Sequence, residues 1–266
     1  HLAAQPLVRE SYNIPSETYE INVMGTINVL EAIRANDSVR SSLMITTDKC
    51  YDNKEWIWGY RENDAMGGHD PYSSSKGCAE LVIQSYQKSY FNNNATSALS
   101  SARAGNVIGG GDLSQDRLIP DIVRAIKNNS KVSIRNPLAT RPWQHVFEPL
   151  NGYLMVAEDL FNHGHTKNSS WNFGPLITDI RSVDEVTSLF CKTWGGLDII
   201  EYDQKEQAHE ANLLSLDISK SYHELKWRPK WSLDESMIHI VSWYKEYMSG
   251  GDLVSLSNDQ IRQFRK

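Results

Sequence analysis

Apolar and polar positions recur along this chain with two periods, and their order predicts strands interleaved with helices. Over residues 16–35, apolar or small side chains at Ile21, Gly25, Val29, Ala32 and Ile33 approximate one face of a helix. The run Ser42-Leu-Met-Ile-Thr-Thr47, apolar after polar turn residues, predicts a buried parallel strand. A long segment rich in Trp, Gly and Asn then runs from Asp48 to about Pro71. Loops of that length inside a domain are functional or disordered, and Tyr51, Trp56, Trp58 and Tyr60 argue against disorder.

The pattern continues with a helix carrying Tyr72 and Lys76 and reaching about Tyr90, then a strand from roughly Thr96 to Arg103. That strand leads into Gly105-Asn-Val-Ile-Gly-Gly-Gly-Asp112. A helix near Ile119 to Asn128, a short strand at Val132 to Ile134, the run Arg141-Pro-Trp-Gln-His-Val146 and a helix over 149–163 follow. The chain closes on an amphipathic helix around Asp234 to Met248. Alternating helices and parallel-type strands predict an α/β fold, and no repeat or low-complexity linker interrupts it.

Composition narrows the functional classes. The 266 residues suffice for one large domain or two smaller ones, and 40% hydrophobic with 23% charged residues describes a globular protein. No apolar run approaches the roughly 20 residues that cross a bilayer, and His1-Leu-Ala-Ala-Gln-Pro6 has no signal-peptide pattern. A cytoplasmic location and no membrane partner are therefore expected. Three scattered cysteines, Cys50, Cys78 and Cys191, do not form a disulfide framework. The net charge of −6 gives no footprint for nucleic acid, although a few arginines can hold a diphosphate inside an acidic protein.

Candidate chemistry gathers at the predicted strand end. Thr47, Asp48 and Lys49 would emerge at its carboxyl edge, where open α/β sheets bind ligands. Tyr72 and Lys76 lie four residues apart, on one face of a helix. A nearby ammonium favours phenolate over phenol, whose free pKa is about 10, and so makes Tyr72 a base for an alcohol. Each feature alone has a plainer reading: Thr-Asp as a helix cap or turn, Tyr-x-x-x-Lys as a chance pair. No metal site is expected, because His163-Gly-His165 lacks partners at ligand spacing. Ser73 to Ser75 have no evident His–Asp partners for a hydrolase triad.

Taken together, His1-Leu-Ala-Ala-Gln5, Asn22-Val-Met-Gly25, Thr46-Thr-Asp48, Tyr72-x-x-x-Lys76 and Arg103-Ala-Gly-Asn-Val107 resemble the extended short-chain dehydrogenase/reductase superfamily. Within it the chain is similar to the CDP-glucose 4,6-dehydratase family. That similarity rests on Thr47-Asp-Lys-Cys-Tyr-Asp-Asn53, Trp58-Gly-Tyr-Arg-Glu-Asn-Asp64, Gly67-Gly-His-Asp-Pro-Tyr-Ser-Ser-Ser-Lys-Gly-Cys-Ala-Glu80, Asp116-Arg-Leu-Ile-Pro-Asp121 and Arg141-Pro-Trp-Gln-His-Val146.

The resemblance implies an NAD-dependent hydro-lyase acting on CDP-glucose: oxidation at C4, loss of water across C5–C6, reduction at C6. It implies Tyr72 as base with Lys76, Thr47 on the 4-oxygen and Asp48 as acid for the leaving hydroxyl. Lys49 stands where the better-known dTDP-glucose dehydratases carry a glutamate as C5 base, which leaves that base open. Ala3, Ala4, Thr46, Tyr72 and Lys76 would face NAD; Asn106, Arg117, Arg141 and His209 would face the substrate. For each arginine a surface ion pair is an equal alternative. A homodimer built as a four-helix bundle from the 16–35 and Tyr72 helices is also implied.

The implied fold is a Rossmann-type parallel sheet with its first strands missing, plus a smaller α/β substrate-binding domain. Residues 1–108 and 142–167 would form the NAD-binding remnant, and 109–141 and 168–266 the nucleotide-sugar domain. No Gly-x-x-Gly-x-x-Gly precedes a helix, so the chain reads as a fragment of a longer protein that binds NAD poorly by itself. A nucleotide-sugar 4-epimerase or decarboxylase of the same superfamily, or a non-catalytic sugar-nucleotide binder, is the alternative.

Overall fold

The computed structural model describes residues 1–92, 96–203 and 211–266, so His209 lies outside the described residues. Helices α1 (Val8–Asn13) and α2 (Pro15–Tyr19) lead through a π-helical turn, Glu20–Met24, into α3 (Gly25–Arg34). Strand β1 (Ser41–Ile45), a 3-10 turn (Asp48–Cys50), α4 (Pro71–Ser89) and β2 (Ala98–Ala104) follow. Next come β3 (Asn106–Ile108), α5 (Leu118–Lys127), β4 (Val132–Ile134), β5 (Thr140–His145), α6 (Phe147–His163) and β6 (Ser170–Phe173). The later elements are β7 (Ile180–Ser182), α7 (Val183–Trp194), β8 (Ile200–Tyr202), α8 (Ser219–Leu225), α9 (Leu233–Ser249) and α10 (Leu253–Phe264).

Two compact units share the chain. The first takes His1–Gly105, Leu150–Gly174 and Leu214–Arg228; the second takes Asn106–Pro149, Pro175–Leu213 and Pro229–Lys266. The sequence expectation set its lines at 108, 142 and 168 instead. Strand pairing explains the difference. Residues 140–145 hydrogen-bond β3 and β7 and so stay in the second unit, whereas β6 pairs with β2 and stays in the first.

The first unit is an α/β fold on a parallel sheet, β1-β2-β6. The chain start lies alongside it: the His1 amino group donates to the Leu43 carbonyl at 2.8 Å, and Ile45 N–H donates to the His1 carbonyl at 3.0 Å. Alternation along the strands sends side chains to two cores. Met44 and Leu99 pack with Leu30, Ile83 and Phe91 from the α3–α4 side. Leu43, Ile45, Ala98 and Ala102 face Val156 and Leu160 of α6, with Phe173 and Trp227. Each fully buried leucine or isoleucine here stabilises the fold by about 1.5–3 kcal/mol.

The helical face expected over 16–35 is not the one that is buried. Ile21 and Ala32 are exposed, and Gly25, Val29 and Ile33 are half-buried; the buried stripe is Thr18, Asn22, Thr26 and Leu30. Three of these four are polar, and each is hydrogen-bonded: Thr18 Oγ1 accepts from Gln5 Nε2, Asn22 holds the Gln5 backbone, and Thr26 Oγ1 donates to the Asn22 carbonyl. A hydrophobicity pattern cannot register a polar stripe satisfied in this way.

In the second unit, β3-β5-β7 form a sheet in which β7 is antiparallel, and β4 pairs with β8. Ile122, Val186, Phe190, Met237 and Ile240 from α5, α7 and α9 build its core. Capping boxes Ser182/Glu185 and Ser232/Glu235 start α7 and α9. The Gly109–Gly111 run has a packing role: a Cβ on Gly110 would lie 2.2 Å from the Trp243 ring.

Candidate active site

Chemistry-bearing side chains of the first unit converge where β1 ends. Thr47 leaves the strand extended (φ −157°, ψ 159°) and caps the 3-10 turn, its Oγ1 accepting from Lys49 N–H at 3.4 Å and donating to Asp48 Oδ1 at 3.0 Å. The plain reading of Thr-Asp as a cap is therefore correct, and the cap is what turns Asp48 inward to 1% exposure. Lys49 is half-buried in the same turn.

Helix α4 brings the phenol to this turn. Asp70 caps it, accepting from Ser73 N–H at 2.9 Å and from Ser73 Oγ at 2.6 Å, and Pro71 occupies its first turn. Gly77 then allows close approach: a Cβ there would sit 2.7 Å from the Gly67 carbonyl oxygen and 3.2 Å from that of Cys50. Tyr72 and Lys76 are both buried. The Tyr72 N–H donates to Ser11 Oγ at 3.1 Å. Ser75 Oγ donates to the Tyr72 carbonyl at 2.7 Å and accepts from Asn22 Nδ2 at 2.9 Å. Asn22 occupies the π-helical turn, a distortion often found at functional positions, and ties α4 to Gln5 near the chain start.

Lys76 Nζ donates to the Ile45 carbonyl over 3.4 Å. Burial lowers its pKa to about 8, opposed chiefly by the Glu80 carboxylate one turn further on. Glu80 is fully buried, and although desolvation pushes its pKa up, the Arg103 guanidinium and hydrogen bonds hold it below the usual value. Arg103 grips it bidentately at 2.9 and 2.7 Å, while Thr46 Oγ1 donates at 2.5 Å and Ser101 Oγ at 2.9 Å. From its other side, Arg103 donates to Tyr51 Oη at 2.7 Å and to the Glu62 carbonyl at 2.9 Å. Tyr51 in turn donates to Asn172 Oδ1 at 2.7 Å. This network pins the aromatic loop that follows Asp48, whose rings stack as Tyr51–Tyr60–Trp56.

The predicted substrate anchors that are described belong to the second unit. Asn106 opens β3, and its buried Oδ1 has no hydrogen-bond partner among the described residues. Arg117 pairs with Asp112 at 3.3 Å, the surface ion pair weighed for it from sequence. Arg141 is buried and donates to the carbonyls of Thr140 and Asn212. Ala3 is exposed and Ala4 half-buried near the chain start. His163 pairs with Asp159 at 2.8 Å.

Sequence reasoning had not named Asn22, Glu80, Arg103 or Tyr51 as site residues. Glu80 carried a signal, four residues beyond Lys76 on the same face. Arg103, a charge closing the strand predicted from roughly Thr96 to Arg103, carried another.

Comparisons with known proteins bear on this arrangement. The sequence profile of the family described as GDP-mannose 4,6 dehydratase matches residues 1–240. CDP-glucose 4,6-dehydratase of Salmonella typhimurium is 48% identical over 268 residues, covering 99% of this chain and 75% of that protein. CDP-paratose 2-epimerase of Salmonella typhi is 24% identical, covering 91% of this chain and 76% of its own. Among solved structures, a dTDP-glucose 4,6-dehydratase from Streptomyces venezuelae with NAD bound superposes at TM-score 0.80 and 22% identity. It covers 94% of this chain and 74% of that one. A UDP-glucuronic acid 4-epimerase from Bacillus cereus gives TM-score 0.80 at 20% identity, covering 93% and 74%.

Proposed function

The chain belongs to the GDP-mannose 4,6 dehydratase family, and from that premise we propose that it is an NAD-dependent lyase converting CDP-glucose to CDP-4-keto-6-deoxyglucose. The substrate follows from the 48% identity to the Salmonella dehydratase. The observation that carries the reaction is Asp48, a buried carboxyl set by Thr47 at the strand edge to which α4 brings Tyr72 and Lys76. A C4 epimerisation needs only the phenol and the ammonium; an elimination needs an acid as well.

Each step maps onto a side chain. Tyr72, with Lys76 beneath it, takes the proton of the sugar 4-hydroxyl, and Thr47 holds the 4-oxygen. NAD, when bound, supplies the two-electron acceptor for C4 and returns those electrons to C6. The 4-ketone acidifies C5–H, which Lys49 would remove as the free amine, and Asp48 in its acid form would protonate the departing 6-hydroxyl. The residues present suit the cofactor: Lys76 is buried, and among the described residues its ammonium makes a single long hydrogen bond, which leaves donors for ribose hydroxyls. Ala3, Ala4 and Thr46 would flank that group. Asn106, with its unsatisfied Oδ1, accepts a hydrogen bond from the substrate; Arg117, Arg141 and His209 complete the diphosphate and nucleotide contacts.

A homodimer is part of this reading. Tyr19, Ile21 and Met24 expose apolar surface on the α2–α3 segment, and Leu81 exposes it on α4, as a four-helix bundle requires. No described helix is long and apolar enough to cross a membrane, and we place the enzyme in the cytoplasm within deoxysugar biosynthesis. The test uses protein expressed from its complete reading frame, incubated with CDP-glucose and NAD. A 4-keto-6-deoxy product absorbing in the near ultraviolet in alkali is expected. Recovery of unchanged sugar or of a C4 epimer overturns the assignment.

A further inference from the structure

A second phenol stands at this site. Helix α6 runs antiparallel over β1. Arg40 Nη2 donates to the Phe161 carbonyl at 3.3 Å, and Ser41 Oγ donates to the Ala157 carbonyl at 2.8 Å. The preceding turn of α6 therefore reaches toward the Ile45–Thr47 end of the strand and carries Tyr153 there. Tyr153 packs against the cluster containing Leu43 and Ile45, and its ring meets Phe173 edge-on with centroids 5.7 Å apart. Phe173 is the last residue of β6, at the same carboxyl edge of the sheet.

Gly152 sets the depth of this side chain. A Cβ at that position would lie 2.3 Å from the Phe173 ring, so only glycine lets this turn of α6 close onto the strand end. The Tyr153 phenol is close enough to sense both Tyr72 and Asp48, and burial, followed by those two negative groups, pushes its pKa up. It therefore keeps its proton while Tyr72 and Asp48 exchange theirs. Among the described residues its hydroxyl has no hydrogen-bond partner. The side chain is half-buried, so its hydroxyl stays available as a donor to a ligand bound at the strand end.

We propose that Tyr153 is a further catalytic-site residue, its phenol donating a hydrogen bond to the bound hexose between the groups that Tyr72 and Asp48 act upon. It rests on the dehydratase reading for the identity of the sugar, and the Tyr153 proton stays in place through the cycle. Its contributions are orientation of the hexose and a fixed donor dipole beside the Tyr72 phenolate.

The test is Tyr153→Phe in protein from the complete reading frame, with two readouts. With CDP-glucose and NAD, kcat should fall roughly tenfold to a hundredfold, the loss of one buried hydrogen bond in the reacting state, while the thermal midpoint stays near that of the parent. Separately, without substrate, NMR of [ζ-13C]tyrosine-labelled protein follows the Tyr72 phenol, assigned through Tyr72→Phe. Its titration should move to higher pH by about half a unit or more, because a donor that favours phenolate has gone. A kcat within twofold of the parent overturns the proposal, and so does a fall in kcat with an unmoved Tyr72 titration, which would make Tyr153 mere packing. Failure of the parent enzyme to convert CDP-glucose sinks the substrate assignment alone; the Tyr72 titration still decides the place of Tyr153.

Discussion

Replacing Glu80 by glutamine breaks an ion pair in which both side chains are fully buried. Four hydrogen bonds end on this carboxylate: two from Arg103 and one each from Thr46 and Ser101. Glutamine keeps the volume but removes the charge, which leaves the Arg103 guanidinium buried without its counterion. Removal of one partner from such a pair costs about 3–5 kcal/mol. At 2–4 °C per kcal/mol for a chain of this size, the midpoint should fall by roughly 6–20 °C. Replacing both partners with apolar groups, Glu80→Met with Arg103→Met, leaves no orphaned charge and should recover a good part of the loss. The assay is urea unfolding of parent, single and double variants followed by tryptophan fluorescence. The same substitution removes the charge that chiefly offsets the burial of Lys76, so Lys76 should lose its proton below the present value of about 8. A Glu80→Gln variant within 1 kcal/mol of the parent, or a double variant as unstable as the single one, refutes the argument.

Activity that depends on the Lys76 cation should decline as pH rises through about 8, and Lys76→Met should lower the C4 oxidation rate by roughly 10²–10⁴ in stopped-flow absorbance. Glu148 of the second unit is buried and accepts from the Lys230 and Trp231 N–H groups, yet desolvation raises its pKa from 4.5 to about 7. A carboxyl raised on folding gives its full stability below pH 4.5 and loses it as pH rises through about 7, a difference of about 3 kcal/mol. Thermal melts from pH 5 to 8 should show that slope, and Glu148→Gln should flatten it. Gly77→Ala places a methyl 2.7 Å from the Gly67 carbonyl. It should cost about 1–3 kcal/mol in urea unfolding and slow turnover by separating α4 from the Asp48 turn.

The site was legible in sequence where its logic is local. Tyr72 and Lys76 share a face because four residues make one helical turn, and Thr47–Asp48 follow an apolar run that has to end at a sheet edge. The α/β class was equally plain from alternating strands and helices. What escaped was long-range or polar. The buried stripe Thr18–Asn22–Thr26 is invisible to a hydrophobic pattern because its burial is offset by hydrogen bonds to Gln5 and Ser75. Arg103 reads as a solvated charge until Glu80 and Tyr51, 23 and 52 residues away, fold around it. Tyr153 lies on a helix after β5, and only the packing of α6 over β1 carries it to the strand end. The units part elsewhere than expected because β5 pairs with β3 and β7, a choice that no local pattern encodes.

In the proposed reaction the labour is divided between an oxidising pair, Tyr72 with Lys76, and an eliminating acid, Asp48. Asp48→Asn separates the two most directly, in a single-turnover experiment with CDP-glucose and NAD followed at the absorbance of reduced nicotinamide and by mass of the quenched sugar. Reduced nicotinamide should appear at near the parent rate and persist, with a 4-keto sugar that still carries its 6-hydroxyl. Formation of the 6-deoxy product at the parent rate, with only transient reduced nicotinamide, would contradict that division.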